Sequence, residues 1–378
     1  MKILLCPDKF RGSLTAQEAC LAMKEGIFAV NNDVEVISLP MADGGEGTLE
    51  LLNYYAKSNL ENVQVQDPLG RNIMATLGFS PNRKEAIIEM AKASGLDLLQ
   101  SFERNPLKTS TFGTGQLIKY AIENGATNIT IGIGGSATND AGMGMAAALG
   151  MVFLDSDGKT LSPSGENLLK IAQIDDSNLI NLEGIEIKVA CDVTNPLFGI
   201  NGAAYIYAPQ KGANKTEIVI LDEGLQNMDQ IVQAEWPQKK YANIAGVGAA
   251  GGLGYGLMVF LGAELVEGST LMMQASDFQK HLENTDFVLT GEGKIDQQTI
   301  NGKLIKGICQ HAKAKNVPVI AFCGTLDIDL ADCQSIGLSF VTSILTKPCT
   351  LDNAQENAFE LLKSSTAHVF NLIQQLNK

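Results

Sequence analysis

Apolar positions along this chain follow two rhythms. Short apolar runs bounded by turn residues alternate with stretches spaced at three and four residues, the signature of strands alternating with helices. Residues 2–6 read as a strand. Residues 15–30 then take helical spacing, with Leu14, Ala19, Met23, Ile27 and Val30 near one face, and Thr15-Ala16-Gln17-Glu18 fits a capping box. Residues 34–39 read as the next strand, and a helix over about 48–57 follows a glycine-rich turn.

From residue 67 the pattern changes. Segments 72–79 and 86–90 read as antiparallel strands joined by the turn Ser80-Pro81-Asn82. A helix over 115–123, a strand over 129–133, a turn at Asp157-Gly158 and a strand over 185–190 follow. The first pattern then returns: buried-looking strands over 287–290 and 317–322 flank a helix over 304–315, and a strand over 340–345 precedes a closing helix over 351–376. Such alternation predicts an α/β fold with a parallel sheet and right-handed crossovers. The expected organisation is a discontinuous parallel-sheet domain, 1–66 plus 285–378, with a mixed α/β domain inserted over 67–284.

Composition supports this picture and removes some function classes. The chain has 378 residues, comfortable for two cores. Its net charge of −14 argues against a generic nucleic-acid or anionic-membrane binder. Anionic substrates would have to be attracted locally, by a few cations, helix N-termini or a metal ion. The seven cysteines form no CxxC pair and read as reduced thiols of a cytoplasmic protein. The first apolar run is too short for a signal peptide, and the glycine-broken stretch 246–263 is no membrane span. The three histidines, His281, His311 and His368, show no metal or triad pattern.

Ligands of parallel sheets bind beyond the C-terminal ends of strands, so the residues after each expected strand matter most. After the first come Pro7-Asp8-Lys9-Phe10-Arg11-Gly12-Ser13, two cations and a carboxylate ahead of a helix. After the second come Asp43-Gly44-Gly45-Glu46-Gly47, two acids in a glycine turn that can hold an anion on its amides or a hard cation on its carboxylates. After 129–133 comes Gly134-Gly135-Ser136-Ala137-Thr138-Asn139-Asp140, suited to cradling phosphate although no Walker A pattern exists in the chain. After 185–190 comes Cys191-Asp192-Val193-Thr194-Asn195-Pro196, where an acid stands at a strand end. After 287–290 comes Gly291-Glu292-Gly293-Lys294-Ile295-Asp296, the densest polar cluster of the chain.

Gly246-Val247-Gly248-Ala249-Ala250-Gly251 matches GxGxxG, which raises an NAD-dependent hydroxy-acid dehydrogenase as an alternative. The match follows a weak strand and lacks a following acid at the proper distance, so it reads as a close-packed helix start. A non-catalytic binding protein for a small acid is a further alternative. Phosphoryl transfer fits the residues better. It needs cations and amides around phosphates, acids for Mg²⁺ and one carboxylate near the acceptor hydroxyl. These parts lie on loops of both expected domains, which points to a cleft that closes between them.

Seven blocks of the chain together resemble the bacterial glycerate kinase family of the glycerate 2-kinase type. They are residues 7–14, 42–48, 67–71, 111–115, 133–140, 191–197 and 291–299, with Arg11 standing where a lysine is expected. The resemblance implies a Rossmann-like domain joined to a second α/β domain. It implies ATP as co-substrate with Mg²⁺, and D-glycerate or another small hydroxy acid as acceptor, 2-phosphoglycerate being favoured over 3-phosphoglycerate. Within that frame Asp192 or Asp296 is the expected proton acceptor, with Lys9 beside the reacting groups. Arg11, Arg71, Asp43, Lys294 and Lys303 are expected around the substrate. Asp43 and Glu46 are expected on the metal. Thr111, Gly113, Thr114, Gly134, Gly135, Ser136, Asn139, Asn195 and Gly291 are expected on the nucleotide.

Overall fold

The structure, a computed structural model, describes residues 1–45, 47–301 and 304–376. In chain order the strands are β1 Lys2–Leu5, β2 Glu35–Ser38, β3 Asn59–Gln66, β4 Asn72–Phe79, β5 Glu85–Glu89, β6 Asn128–Gly132, β7 Val152–Leu154, β8 Gln173–Asp175, β9 Glu186–Ala190, β10 Glu264–Val266, β11 Phe287–Ile295, β12 Val319–Leu326 and β13 Phe340–Ser343. Two compact units emerge: Met1–Leu51 with Glu267–Lys378, and Leu52–Val266. The protein is therefore α/β, with a parallel-sheet unit interrupted by a mixed one.

The first unit is a five-stranded, wholly parallel sheet in the order β13-β12-β11-β1-β2. Its strands are apolar where both faces are covered: Ile3, Leu4 and Leu5 are fully buried. Helix Ala16–Phe28 begins at the expected capping box, with Thr15 accepting from the Glu18 amide and the Glu18 side chain returning to Thr15. It packs on helix Ala358–Leu376, and a Cβ at Gly26 would lie 2.4 Å from the Lys363 carbonyl oxygen, so glycine permits that close approach. Met23, Ile27, Leu289, Phe322, Leu362 and Phe370 fill the core.

Strand order reverses beside β1, because β2 lies on one side and the late strand β11 on the other. Such a switch point leaves a crevice at the C-terminal strand ends. The chain leaving β1 is pinned there on both flanks. The Asp8 amide donates to the Gly291 carbonyl at 2.9 Å, and the Met41 amide donates to the Pro7 carbonyl at 2.9 Å.

The second unit holds the sheet β10-β9-β6-β5-β4-β3 and the small pair β7-β8. β10, β9, β6 and β5 run parallel, while β4 and β3 are antiparallel additions. Phe79, Ile88, Leu117, Ile131, Phe153, Val189 and Tyr255 lie in its core.

Several expectations shift. β3 extends over residues the sequence pattern leaves unassigned and pairs with β4 along its whole length, so this stretch belongs to the second sheet, although the sequence boundary at residue 66 leaves it in the first domain. It is polar and mostly exposed, with Val65 alone fully buried, so its hydrophobic signal is faint. β11 runs on to Ile295, past the expected end at 290. The expected closing helix over 351–376 divides into Leu351–Glu356 and Ala358–Leu376. Helix Lys215–Glu235, with a capping box at Asn214 and Glu217, has no counterpart in the sequence reading.

Candidate active site

At the switch point the end of β1 and strand β11 bring carboxylates together. Asp8 is buried, and burial together with the neighbouring charges of Asp43 and Glu292 pushes its pKa up to about 7. Glu292 on β11 is pushed up to about 7 as well, by burial first, then by Asp43 and Asp296. The Thr299 hydroxyl donates to Glu292 Oε1 at 2.7 Å, and the Lys9 amide donates to Asp8 Oδ1 at 2.6 Å. These bonds favour the ionised forms but do not offset burial. Asp43 is exposed and accepts from the Gly45 amide, which closes its glycine turn.

A pocket of about 350 Å³ opens beside Asp8, lined also by Lys9, Arg11, Ser13, Met41 and Gly47. Two cations and one carboxyl of raised pKa thus share a space suited to a small organic acid. Asp296 receives the Lys294 ammonium at 2.9 Å, and that ammonium also lies 3.6 Å from Asp327. Gly291 sits inside β11, buried; a Cβ there would meet the Phe322 carbonyl oxygen at 2.4 Å and the Phe10 ring at 3.2 Å. Its missing side chain makes room for that ring, which is a packing role and leaves no cradle open. Glu46 and Lys303 lie outside the described residues.

In the second unit, loop 134–140 follows β6 as expected. Gly134 and Gly135 are exposed, and Gly135 takes φ +72°, a left-handed conformation that favours glycine. The loop is fastened at its rear: the Leu96 amide donates to the Gly135 carbonyl and the Ala137 amide to the Ser94 carbonyl. Asp140 is fully buried and accepts from the Thr111 amide and hydroxyl at 2.8 Å and from the Gly142 and Gly144 amides at 3.1 Å. Burial still holds its pKa above the usual carboxylate range.

Three expected nucleotide ligands are spent on this framework. Thr111 holds Asp140 and accepts from the Met145 amide, Thr114 bonds Ser94 at 2.7 Å, and a Cβ at Gly113 would lie 1.9 Å from the Gln66 carbonyl oxygen. Residues 111–115, expected to cradle the nucleotide phosphates, run into the first turn of helix Phe112–Glu123. Asn195 is tied to the Asn201 carbonyl and the Tyr207 hydroxyl. Arg71 grips Asp67 and Glu103, so it closes the β3–β4 turn. Asp192 is half-buried past the end of β9.

The GxGxxG segment follows no strand. It enters helix Ala249–Leu261, with Ala250, Gly251 and Gly252 left-handed. A Cβ on Gly248 would meet the Pro196 carbonyl oxygen at 2.1 Å, and one on Gly251 the Thr138 carbonyl oxygen at 2.0 Å. These glycines serve backbone packing, which removes the basis of the dehydrogenase alternative.

Two site residues escaped individual selection from the sequence. Asp8 and Glu292 stood in noted motifs, yet nothing in the string showed that β1 and β11 are neighbours. Lys211 was missed altogether. It is 1% exposed, and its ammonium donates to Ser136 Oγ and the Thr138 carbonyl, both at 2.7 Å. In sequence it is one lysine of a Pro-Gln-Lys-Gly turn, without any mark of burial.

No helix among the described residues is long and apolar enough to cross a membrane. Residues 3–374 match the sequence model of the glycerate kinase family. The chain is 42% identical over 368 residues to a glycerate kinase of Halalkalibacterium halodurans, covering 97% of each. It is 43% identical over 361 residues to the glycerate 2-kinase of Escherichia coli K12, covering 95% of this chain and 94% of that one. A crystal structure assigned to glycerate kinase 2 of Salmonella typhimurium LT2 superposes with a TM-score of 0.88 at 39% identity, covering 100% of this chain and 99% of that one. The chain is an enzyme of the glycerate kinase family.

Proposed function

We propose that this enzyme transfers the γ-phosphoryl group of ATP to the 2-hydroxyl of D-glycerate. The observation that carries the reading is Asp8: a buried carboxyl with a pKa near 7, lining a small pocket together with Lys9 and Arg11. A general base works best with a pKa near the operating pH. Lys9 and Arg11 attract the glycerate carboxylate, and Asp8 takes the proton from the acceptor hydroxyl. That oxygen forms the new bond to phosphorus as the bond from phosphorus to the bridging oxygen of ADP breaks. Asp192 and Asp296 are the competing bases, Asp296 being engaged by the Lys294 ammonium at 2.9 Å.

The first unit's donor set also fits Mg²⁺. Among the described residues no three His, Cys, Asp or Glu side chains converge on a cation. Mg²⁺ at phosphoryl-transfer sites is held by one or two carboxylates plus substrate phosphates. Asp43 and Glu292 would supply these, Glu46 being a further candidate, and a cation there would relieve the repulsion that raises Glu292. The metal's contribution is neutralisation of phosphate charge. Loop 134–140 would hold the polyphosphate. The E. coli relative's name supports 2-phosphoglycerate as product, and the family's substrates suit a cytoplasmic enzyme.

The test is incubation with Mg-ATP and D-glycerate, following ADP release and resolving the phosphoglycerates by ³¹P NMR. ADP release with a single 2-phosphoglycerate signal supports the reading. No ADP release from folded protein overturns it.

A further inference from the structure

The amides of Gly134, Gly135 and Ser136 donate to no protein acceptor among the described residues, although the loop is fastened by bonds to its other groups. Gly134 and Gly135 are exposed, so these donors belong to a surface turn held in one shape. Behind the turn lies Lys211. An ammonium has three N–H donors, and this one uses two, on Ser136 Oγ and the Thr138 carbonyl. Ser136 accepts from Lys211, which leaves its own O–H to donate outward. Next along the loop, Thr138 Oγ1 and both polar atoms of the Asn139 side chain are buried with no partner. Buried polar groups are ordinarily matched, so such a concentration of unmatched polar groups beside a buried cation marks a place built for a ligand.

Burying an ammonium is costly, and among the described residues the opposing charge that acts on Lys211 is Asp140. Asp140 is already saturated by four donors. Successive amides in a glycine turn with a cation behind them form an anion cradle. The Walker lysine that serves this purpose in P-loop enzymes is absent from the loop sequence itself.

We propose that Lys211, arriving from the turn Pro209–Lys211, is the positioning residue that makes loop 134–136 a polyphosphate site, acting through Ser136. The ligand class is a nucleoside triphosphate, bound by its phosphate oxygens. This deepens the kinase reading and rests on it for the identity of the anion.

The full-length enzyme is titrated calorimetrically with inorganic tripolyphosphate, and its steady-state KM values are measured. Wild type is expected to bind tripolyphosphate in competition with ATP. Lys211→Met keeps the length and removes the charge. It should weaken tripolyphosphate binding and raise the ATP KM about tenfold to a hundredfold, the worth of one charge-assisted bond, with the glycerate KM unchanged. An unchanged ATP KM overturns the proposal. So does an equal rise in both KM values, which would show a packing role alone. Should Lys211→Met fail to fold, Gly134→Ala decides. A Cβ there meets nothing within 4 Å, so the fold stands, and the methyl should still raise the ATP KM several-fold on its own. Wild-type values in Gly134→Ala overturn the site. Failure of the kinase reading looks different: wild type would release no ADP with glycerate while its tripolyphosphate binding remained sensitive to Lys211.

Discussion

The end of β1 in the first unit and loop 134–140 in the second stand at like places, just beyond the C-terminal ends of parallel strands, and hold opposite chemistry. The first gathers Asp8, Asp43 and Glu292, whose charges repel each other under partial burial. The second gathers chiefly donors: the amides of residues 134–136, the Thr138 hydroxyl and Asn139 side-chain amide, and the buried Lys211. Each region is electrostatically unfinished by itself. The first calls for a cation and a proton donor, the second for an anion. The proposed phosphoryl transfer would use both kinds of incompleteness, the first for the acceptor and a cation, the second for the phosphates.

The largest expected effect lies in the first region. Asp8→Asn should lower kcat by about a hundredfold to ten-thousandfold, the range of general-base catalysis, with the ATP KM little changed. Steady-state kinetics of Asp8→Asn, Asp192→Asn and Asp296→Asn side by side would break the comparison if Asp192→Asn proved the most damaging, since the base would then belong to the second unit.

Next comes Asp140→Ala, which strips Thr111 and two amides of their acceptor and leaves Lys211 without its counter-charge. A loss of about 3–5 kcal/mol is expected from denaturant unfolding. A mild loss would mean that the donors behind the loop find other partners.

Stability should also depend on pH with opposite slopes from the two regions. Folded Asp8 and Glu292 keep protons that the unfolded chain releases, so their contribution is full below about pH 4 and is lost as pH rises towards their folded pKa of about 7. Lys211 behaves in reverse. Its pKa is lowered to about 7 by burial, so its contribution is full above the unfolded lysine value and is lost as pH falls through 7. Ligand-free enzyme should show a dip in Tm near neutrality. Asp8→Asn should raise the neutral Tm by removing a buried charge, and Mg²⁺ should do the same in wild type. A flat profile would remove the electrostatic contrast.

The smallest effect is expected at Arg71. Its ties to Asp67 and Glu103 are exposed on the arginine side, so Arg71→Ala should shift Tm slightly and leave both KM values alone. A large rise in the glycerate KM would return Arg71 to the substrate.

Much of this arrangement was legible in the sequence because it is local. The capping box at Thr15, the β4–β5 hairpin and the strand–loop alternation each declare themselves within a few residues. The family resemblance rested on blocks of the same kind. What stayed hidden depends on partners distant in the chain. Asp8 is special because it is buried with Asp43 and the β11 residue Glu292 close by, and Lys211 because its ammonium ends on Ser136 and the Thr138 carbonyl. The turn at 111–115 looked like a phosphate loop because buried Thr and Gly serve helix packing with the residues an anion would want. β3 was missed because an edge strand with one buried side chain carries almost no hydrophobic signal.

That strand has a practical consequence for anyone dividing the gene. β3 covers the outer side of β4 over eight paired residues, Asn59–Gln66 against Asn72–Phe79. A fragment started at residue 67, where the sequence pattern changes, would strip this cover and lay bare a long edge carrying the half-buried Ile73 and the exposed Met74. Unprotected edges of this kind recruit other strands, so such a fragment should aggregate. A fragment begun at Leu52, which keeps β3, should stay dispersed.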